Sequence, residues 1–200
     1  MSFLLRRRNQ IVRSGVLAGH AAGIIARSLQ SELYIALVNL RKTARSYGLR
    51  RLLAELNSLG LQPSIAVDGL KTLAEDAARA RYSASSYAQY WLAKATRLGS
   101  PDAASAATDA RLSMIAETEA FEAFTSERNH AAEILAGILL LLGGPDEELK
   151  LFKRWDAKLE ACPVCAEADG TLVPVGQNFV QGEPGTVHPR CRCSWSLVKK

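Results

Sequence analysis

The placement of cysteine constrains this chain more than any other feature: all four cysteines stand near the C-terminal end, between Cys162 and Cys193. Cys162 and Cys165 form a CxxC, and His188, Cys191 and Cys193 follow further on as HPRCRC. In a reducing compartment such clustering favours metal binding over disulfides. The CxxC spacing lets two thiolates meet one ion across a tight turn whose amides can hydrogen-bond to sulfur, and His188 with Cys191 repeats that spacing. Twenty-two residues separate the two pairs, enough for a hairpin that returns the second pair to the first. Cys162, Cys165, His188 and Cys191 are therefore expected to close a tetrahedral, structural zinc site, since zinc has no redox chemistry and accepts a Cys3His set readily. Cys193 is a fifth candidate and an alternative ligand, because in a strand it would share a face with Cys191.

The residues between the knuckles suit a small β module. Asp169 and Gly170 are a hairpin-turn signal, Thr171 to Val175 is β-prone, and Pro174 argues for an edge position. The closing CRCSWSLV alternates as a strand with Cys191, Cys193 and Trp195 on one side and Arg192 on the other. A two- or three-stranded, zinc-stapled mini-sheet is expected. It is too small to hold itself together by apolar burial, so the ion would supply much of its stability.

Upstream the apolar residues recur at three- and four-residue spacing. Ile24, Ile25, Leu29, Leu33, Leu37, Leu40 and Ala44 predict one long amphipathic helix over Val16 to Tyr47, with Arg27, Glu32, Arg41, Lys42 and Arg45 turned to water or a partner. Gly48 is read as a stop, followed by a short helix over Leu49 to Leu59 that ends at Gly60 and Pro63. Ser64 to Leu70 is read as the entry to a helix over 71–98, whose Tyr87, Tyr90 and Trp91 are read as core. Gly99, Ser100 and Pro101 break the chain, and Asp102 to Ala107 reads as a small polar linker. A helix from Thr108 to Asn129 follows, on whose apolar stripe only Glu119 is out of place: it stands at the stripe's edge or, if buried, needs a cationic or metal partner. Glu133 to Leu142 closes the helical part before Gly143, Gly144 and Pro145, and Asp146 to Lys158 is a short charged stretch. The fold class is thus mainly α, a helical body over 1–150 with a basic N-terminal helix and a C-terminal Cys/His zinc-binding β-hairpin module over 151–200.

Charge is distributed unevenly. Residues 1–55 hold ten Arg and Lys against Glu32 and Glu55, whereas residues 56–150 hold eight against thirteen acids. A basic first third suits phosphates or an acidic protein surface, because Arg and Lys release condensed counterions when they neutralise nucleic acid. The longest apolar stretch, Ala131 to Leu142, is interrupted by Glu133 and falls short of the roughly 20 residues of a membrane span. The start MSFLLRRR has its charges after its apolar residues, the reverse of a secretory signal, so synthesis in the cytosol is expected.

Trp155 and Asp156, CPVC, Asp169 and Gly170, and HPRCRC together resemble the C-terminal signature of phage head-morphogenesis (minor head) proteins of the Mu F type. The helix IAETEAFEAF, Ile115 to Phe124, is similar to that family's Ile-Ala-Arg-Thr-Glu pattern, with Glu117 standing where the family has Arg. The resemblance covers about residues 108–197. It implies a structural minor capsid protein, not an enzyme, acting in head assembly and DNA packaging in the host cytoplasm and then in the capsid or virion. The partners so implied are the phage portal, scaffold or major capsid protein, and double-stranded DNA, with no membrane and no small-molecule substrate. It also carries the metal role to Cys162, Cys165, His188 and Cys191. The alternative is a zinc-dependent nucleic-acid-binding protein or nuclease, for which Arg190 and Arg192 could reach phosphates. A nuclease, however, needs an open metal position and a base, and His188 is already required as a ligand.

Overall fold

The computed structural model describes residues 3–61, 70–142, 151–188 and 191–199. The chain is mainly helical: α1 (Phe3–Leu17), α2 (Ala22–Ser58), α3 (Leu70–Leu98), α4 (Pro101–Ala107) and α5 (Asp109–Leu142) precede β1 (Leu151–Asp156), α6 (Pro163–Glu167), β2 (Leu172–Pro174) and β3 (Ser194–Lys199). Two compact units are formed, one from residues 1–41 and 68–119, the other from 42–67 and 120–200. α2 and α5 each contribute residues to both.

The first unit is built on the apolar periodicity of its helices. Leu29, Leu33 and Leu37 of α2, Ala80, Ala84, Tyr87 and Trp91 of α3, and Leu112 of α5 form one buried cluster with Leu4 and Val12 of α1. Alanine on α3 keeps that face narrow, so helices can approach closely. Tyr87 and Trp91 are core as expected whereas Tyr90 is only partly buried, and the two buried polar tips are satisfied: Tyr87 Oη bonds Thr108 Oγ1 at 2.9 Å and Trp91 Nε1 donates to Ser105 Oγ at 3.1 Å.

Several boundaries differ from those expected, each for a local reason. The long helix begins at Ala22 rather than Val16, because α1 ends in a left-handed turn at Gly19 (φ 69°) in which the His20 N–H donates back to Gly15 O. Residues 102–107 are helix, not linker: Ser100 caps α4, its hydroxyl accepting from the Ala103 N–H, and Pro101 starts it. Gly48 does not stop α2, which runs on to Ser58. The expectation for Ser64 to Leu70 and the break at Gly143 to Pro145 fall on or beside residues outside those described.

Gly48 is small for a reason of packing. A Cβ there would lie 2.5 Å from Phe124 O, a backbone atom that cannot swing aside. Gly48→Ala is therefore expected to destabilise the protein by about 1–3 kcal/mol through overpacking. Gly137→Ala, in α5 with nothing within 4 Å of the added carbon, should instead stabilise it by about 0.5–1 kcal/mol. Urea midpoints of the two variants check the opposite signs.

Charged side chains read as solvated are in fact buried. Arg41 bonds Asp76 Oδ1 through Nε at 2.7 Å and Glu119 Oε2 through Nη1 at 2.5 Å, and Ser83 Oγ donates to Glu119 Oε1. Glu119 is therefore not at a stripe edge but buried, with the cation that its burial demands. Arg45 is buried against Glu127 at 3.2 Å, and Arg8 against Asp109. Arg27 and Lys42 are exposed as expected. The basic first third thus commits part of its charge to internal pairs, leaving a smaller positive surface than its composition suggests.

In the second unit a three-stranded antiparallel sheet has the order β2-β1-β3. β2 is an edge strand, as Pro174 requires. The central strand, LFKRWD, lies within the stretch that composition marks only as charged. Its alternation is real, with Leu151, Lys153 and Trp155 buried, but Lys153 masks it. That ammonium donates to Glu183 Oε1 at 2.6 Å and lies near the rings of Phe179 and Trp195. Trp155 pairs with Trp195 across β1 and β3 and meets Phe179 edge-on. The sheet joins helical residues in one cluster: Trp195 and Leu197 pack with Leu52, Leu56, Ala131 and Leu135. Trp195 Nε1 donates to Asn129 Oδ1 at 2.8 Å, and its ring lies 3.9 Å from the Arg128 guanidinium, which grips Glu55 through both carboxylate oxygens.

Candidate metal centre

The first knuckle follows β1. Gly170 N–H donates to Trp155 O at 2.9 Å with φ 75°, and Asp169 accepts from the Ala157 N–H at 2.8 Å, so the Asp-Gly pair pins the strand end to the loop. The chain then turns through Glu160, the one non-glycine residue with positive φ (64°) among those described. Cys162 occupies the cap position of α6, Pro163 supplies the first helical residue, and Cys165 falls one turn later with its thiol buried.

The second knuckle hangs from the loop between β2 and β3. Lys153 holds Glu183, Thr186 N–H donates to Glu183 O at 3.0 Å, and Gly182 and Gly185 take φ of 91° and 89°. Gly185 has no room for a side chain, since a Cβ would meet Thr125 Oγ1 at 2.8 Å. Its N–H donates to Cys191 Sγ at 3.3 Å, the amide-to-sulfur bond that stabilises a thiolate. Cys191 N–H donates to His188 O at 3.1 Å, tying the two ends of the HxxC segment together. Cys191 and Cys193 are both buried but precede β3, which starts at Ser194, so the expected strand is shorter than CRCSWSLV.

The knuckles converge. Donor atoms of Cys162, Cys165 and His188 lie within 4.8 Å of one another, and so do those of Cys165, Cys191 and Cys193. Cys165 is common to both groups, 3.6 Å from His188 Nε2 and 3.8 Å from Cys191 Sγ. All five residues singled out by spacing are therefore together, and they can hold a metal ion. Burial is graded across the cluster: Cys165, Cys191 and Cys193 are buried, whereas Cys162 and His188 are partly exposed. A cavity of about 170 Å³ lined by Lys158, Glu160, Cys162, His188, Arg192 and Cys193 opens beside them.

The electrostatics follow the burial. A hydrogen bond from the Cys165 backbone N–H holds the Cys162 thiol below the ordinary cysteine range, whereas burial pushes the Cys165 and Cys193 thiols above it. The buried sulfurs of Cys165 and Cys193 thus favour the protonated form, and a cation is the natural group to reverse that preference.

His20 and His130 stand outside the cluster, and Arg190 lies outside the described residues. Lys153 and Glu183 position the second knuckle, a role that spacing alone did not reveal. The available signal was the period-two pattern of Leu151, Lys153 and Trp155. Among the described residues no helix is long and apolar enough to cross a membrane. Compared with known protein families, curated proteins and solved structures, the chain matches none.

Proposed function

We propose that this chain is a structural minor head protein of a bacteriophage, with no catalytic role, whose C-terminal module is a zinc-stapled docking knob. The supporting observation is the convergence of CPVC and HPRCRC on one point, since these segments also carry the resemblance to Mu F-type head-morphogenesis proteins. Zinc suits the donors. Tetrahedral ligands at about 2.3 Å for sulfur and about 2.0–2.1 Å for nitrogen have edges of about 3.8 Å between sulfurs and about 3.6 Å from sulfur to nitrogen. The separations at Cys165 are 3.8 and 3.6 Å. Cys162, Cys165, His188 and Cys191 form the proposed set, with Cys193 as the alternative to His188.

In this reading the ion fixes the loops that border the sheet, so the module presents a rigid surface to portal, scaffold or major capsid protein. Exposed Leu159, Val164 and Val180 on the module are the apolar residues such a surface would offer. Exposed arginines of the first unit, among them Arg6, Arg13 and Arg27, would contact packaged double-stranded DNA. Assembly would take place in the host cytoplasm, with the protein retained in the capsid.

The deciding experiment is genetic and biochemical together. A phage lacking this gene is expected to give heads of altered composition and to lose infectivity, and the tagged protein should capture the portal from infected cells. Heads of normal composition and infectivity without it would overturn the proposal.

A further inference from the structure

The five donors exceed the four that a tetrahedral ion uses, and they differ in access. Cys162 is partly exposed on the wall of the 170 Å³ cavity beside His188, and its sulfur lies within 4.8 Å of the buried Cys165 sulfur. We infer that Cys162 and Cys165 form an oxidisable pair, and that a peroxide entering the cavity converts them to a disulfide and expels the metal ion. The inference rests on the metal reading above and adds a modification site to it.

Access selects the first sulfur. Cys191 and Cys193 are each 3% exposed and Cys165 is fully buried, so a small oxidant meets Cys162 first. The Cys162 thiolate attacks hydrogen peroxide: an S–O bond forms, the O–O bond breaks, and hydroxide leaves. The Cys165 thiolate then attacks the sulfenic sulfur. An S–S bond forms, the S–O bond breaks, and a second hydroxide leaves. Two protons from solvent turn both hydroxides into water, so two thiolates, one peroxide and two protons give one disulfide and two waters. Closure to about 2.05 Å requires movement of the partly exposed Cys162 side chain, not of a strand. Cys165 belongs to both donor groups, so its loss as a thiolate strikes the centre of the cluster. His188, Cys191 and Cys193 remain, one donor short of a closed site.

The test uses full-length, zinc-loaded protein treated with hydrogen peroxide, with released zinc followed by a chromogenic chelator and disulfides mapped by peptide mass spectrometry. One ion per chain should be released together with a Cys162–Cys165 disulfide, and added thiol with zinc should reverse both. Cys162→Ser cannot form that disulfide, so under the same peroxide treatment Cys165 should stay reduced and whatever zinc the variant has bound should leave at least about tenfold more slowly than from the wild type. Retention of zinc by oxidised wild-type protein, or a disulfide mapped to Cys191 and Cys193, would overturn the inference. A purified, reduced wild-type chain that takes up no zinc would instead overturn the metal reading, a result visible before any peroxide is added.

Discussion

Cys165→Ser, or exhaustive chelation, is expected to strip the ion and melt the β1–β3 sheet while the helices of the first unit stay folded. Cys165 is the one donor common to both groups, so no arrangement of the remaining four residues replaces it. A structural zinc ion contributes on the order of 10 kcal/mol in small modules, and the proposed ion would bridge loops with little core of their own. Hydrogen exchange should show protection lost across Leu151–Asp156 and Ser194–Lys199, and emission from the buried Trp155 and Trp195 should shift to the red. A metal-free chain with the sheet still protected would mean that the packing of Trp195 and Leu197 on α2 and α5 residues holds the module by itself.

Arg41→Ala should be the most damaging substitution in the first unit. It leaves Asp76 and Glu119, 2% and 3% exposed, without the guanidinium that both carboxylates share. Arg79 reaches Glu119 at 3.8 Å, but from a half-exposed position and in poorer geometry. Breaking a buried pair by removing one partner costs about 3–5 kcal/mol, and here two carboxylates lose the same cation. In a chain of this size that lowers Tm by roughly 10 °C. Arg41→Met combined with Asp76→Leu and Glu119→Leu should recover most of the loss, because no buried charge then lacks a partner. Calorimetry on both variants decides the matter: an unchanged Tm in Arg41→Ala would show that water reaches the carboxylates and the network is not a buried one.

These two sites differ in how far the chain announces them. The Cys/His cluster was legible because its residue types are rare, its spacings are those of turns, and Asp169-Gly170 marks the return. Each of those signals acts within a few residues. The choice among five donors was not legible, since it depends on where the loop carrying Glu183 and Gly185 hangs, and Lys153 in β1 sets that. Arg41, Arg45 and Glu119 were legible only as charges on helices. Their burial depends on partners at Asp76, Ser83 and Glu127, each contributed by another helix.

By itself, then, the amino-acid order determined a mainly helical chain, the break at Gly99 to Pro101, and a Cys/His module at the end. All of these follow from periodicity, backbone sterics and ligand chemistry, which operate locally. Only the tertiary structure decided that α2 runs through Gly48, that a lysine occupies the buried face of the central strand, and that an apparently basic surface is partly an interior of ion pairs. The reason is that a charge or a missing side chain is favourable or costly according to what faces it, and what faces it comes from a distant part of the chain.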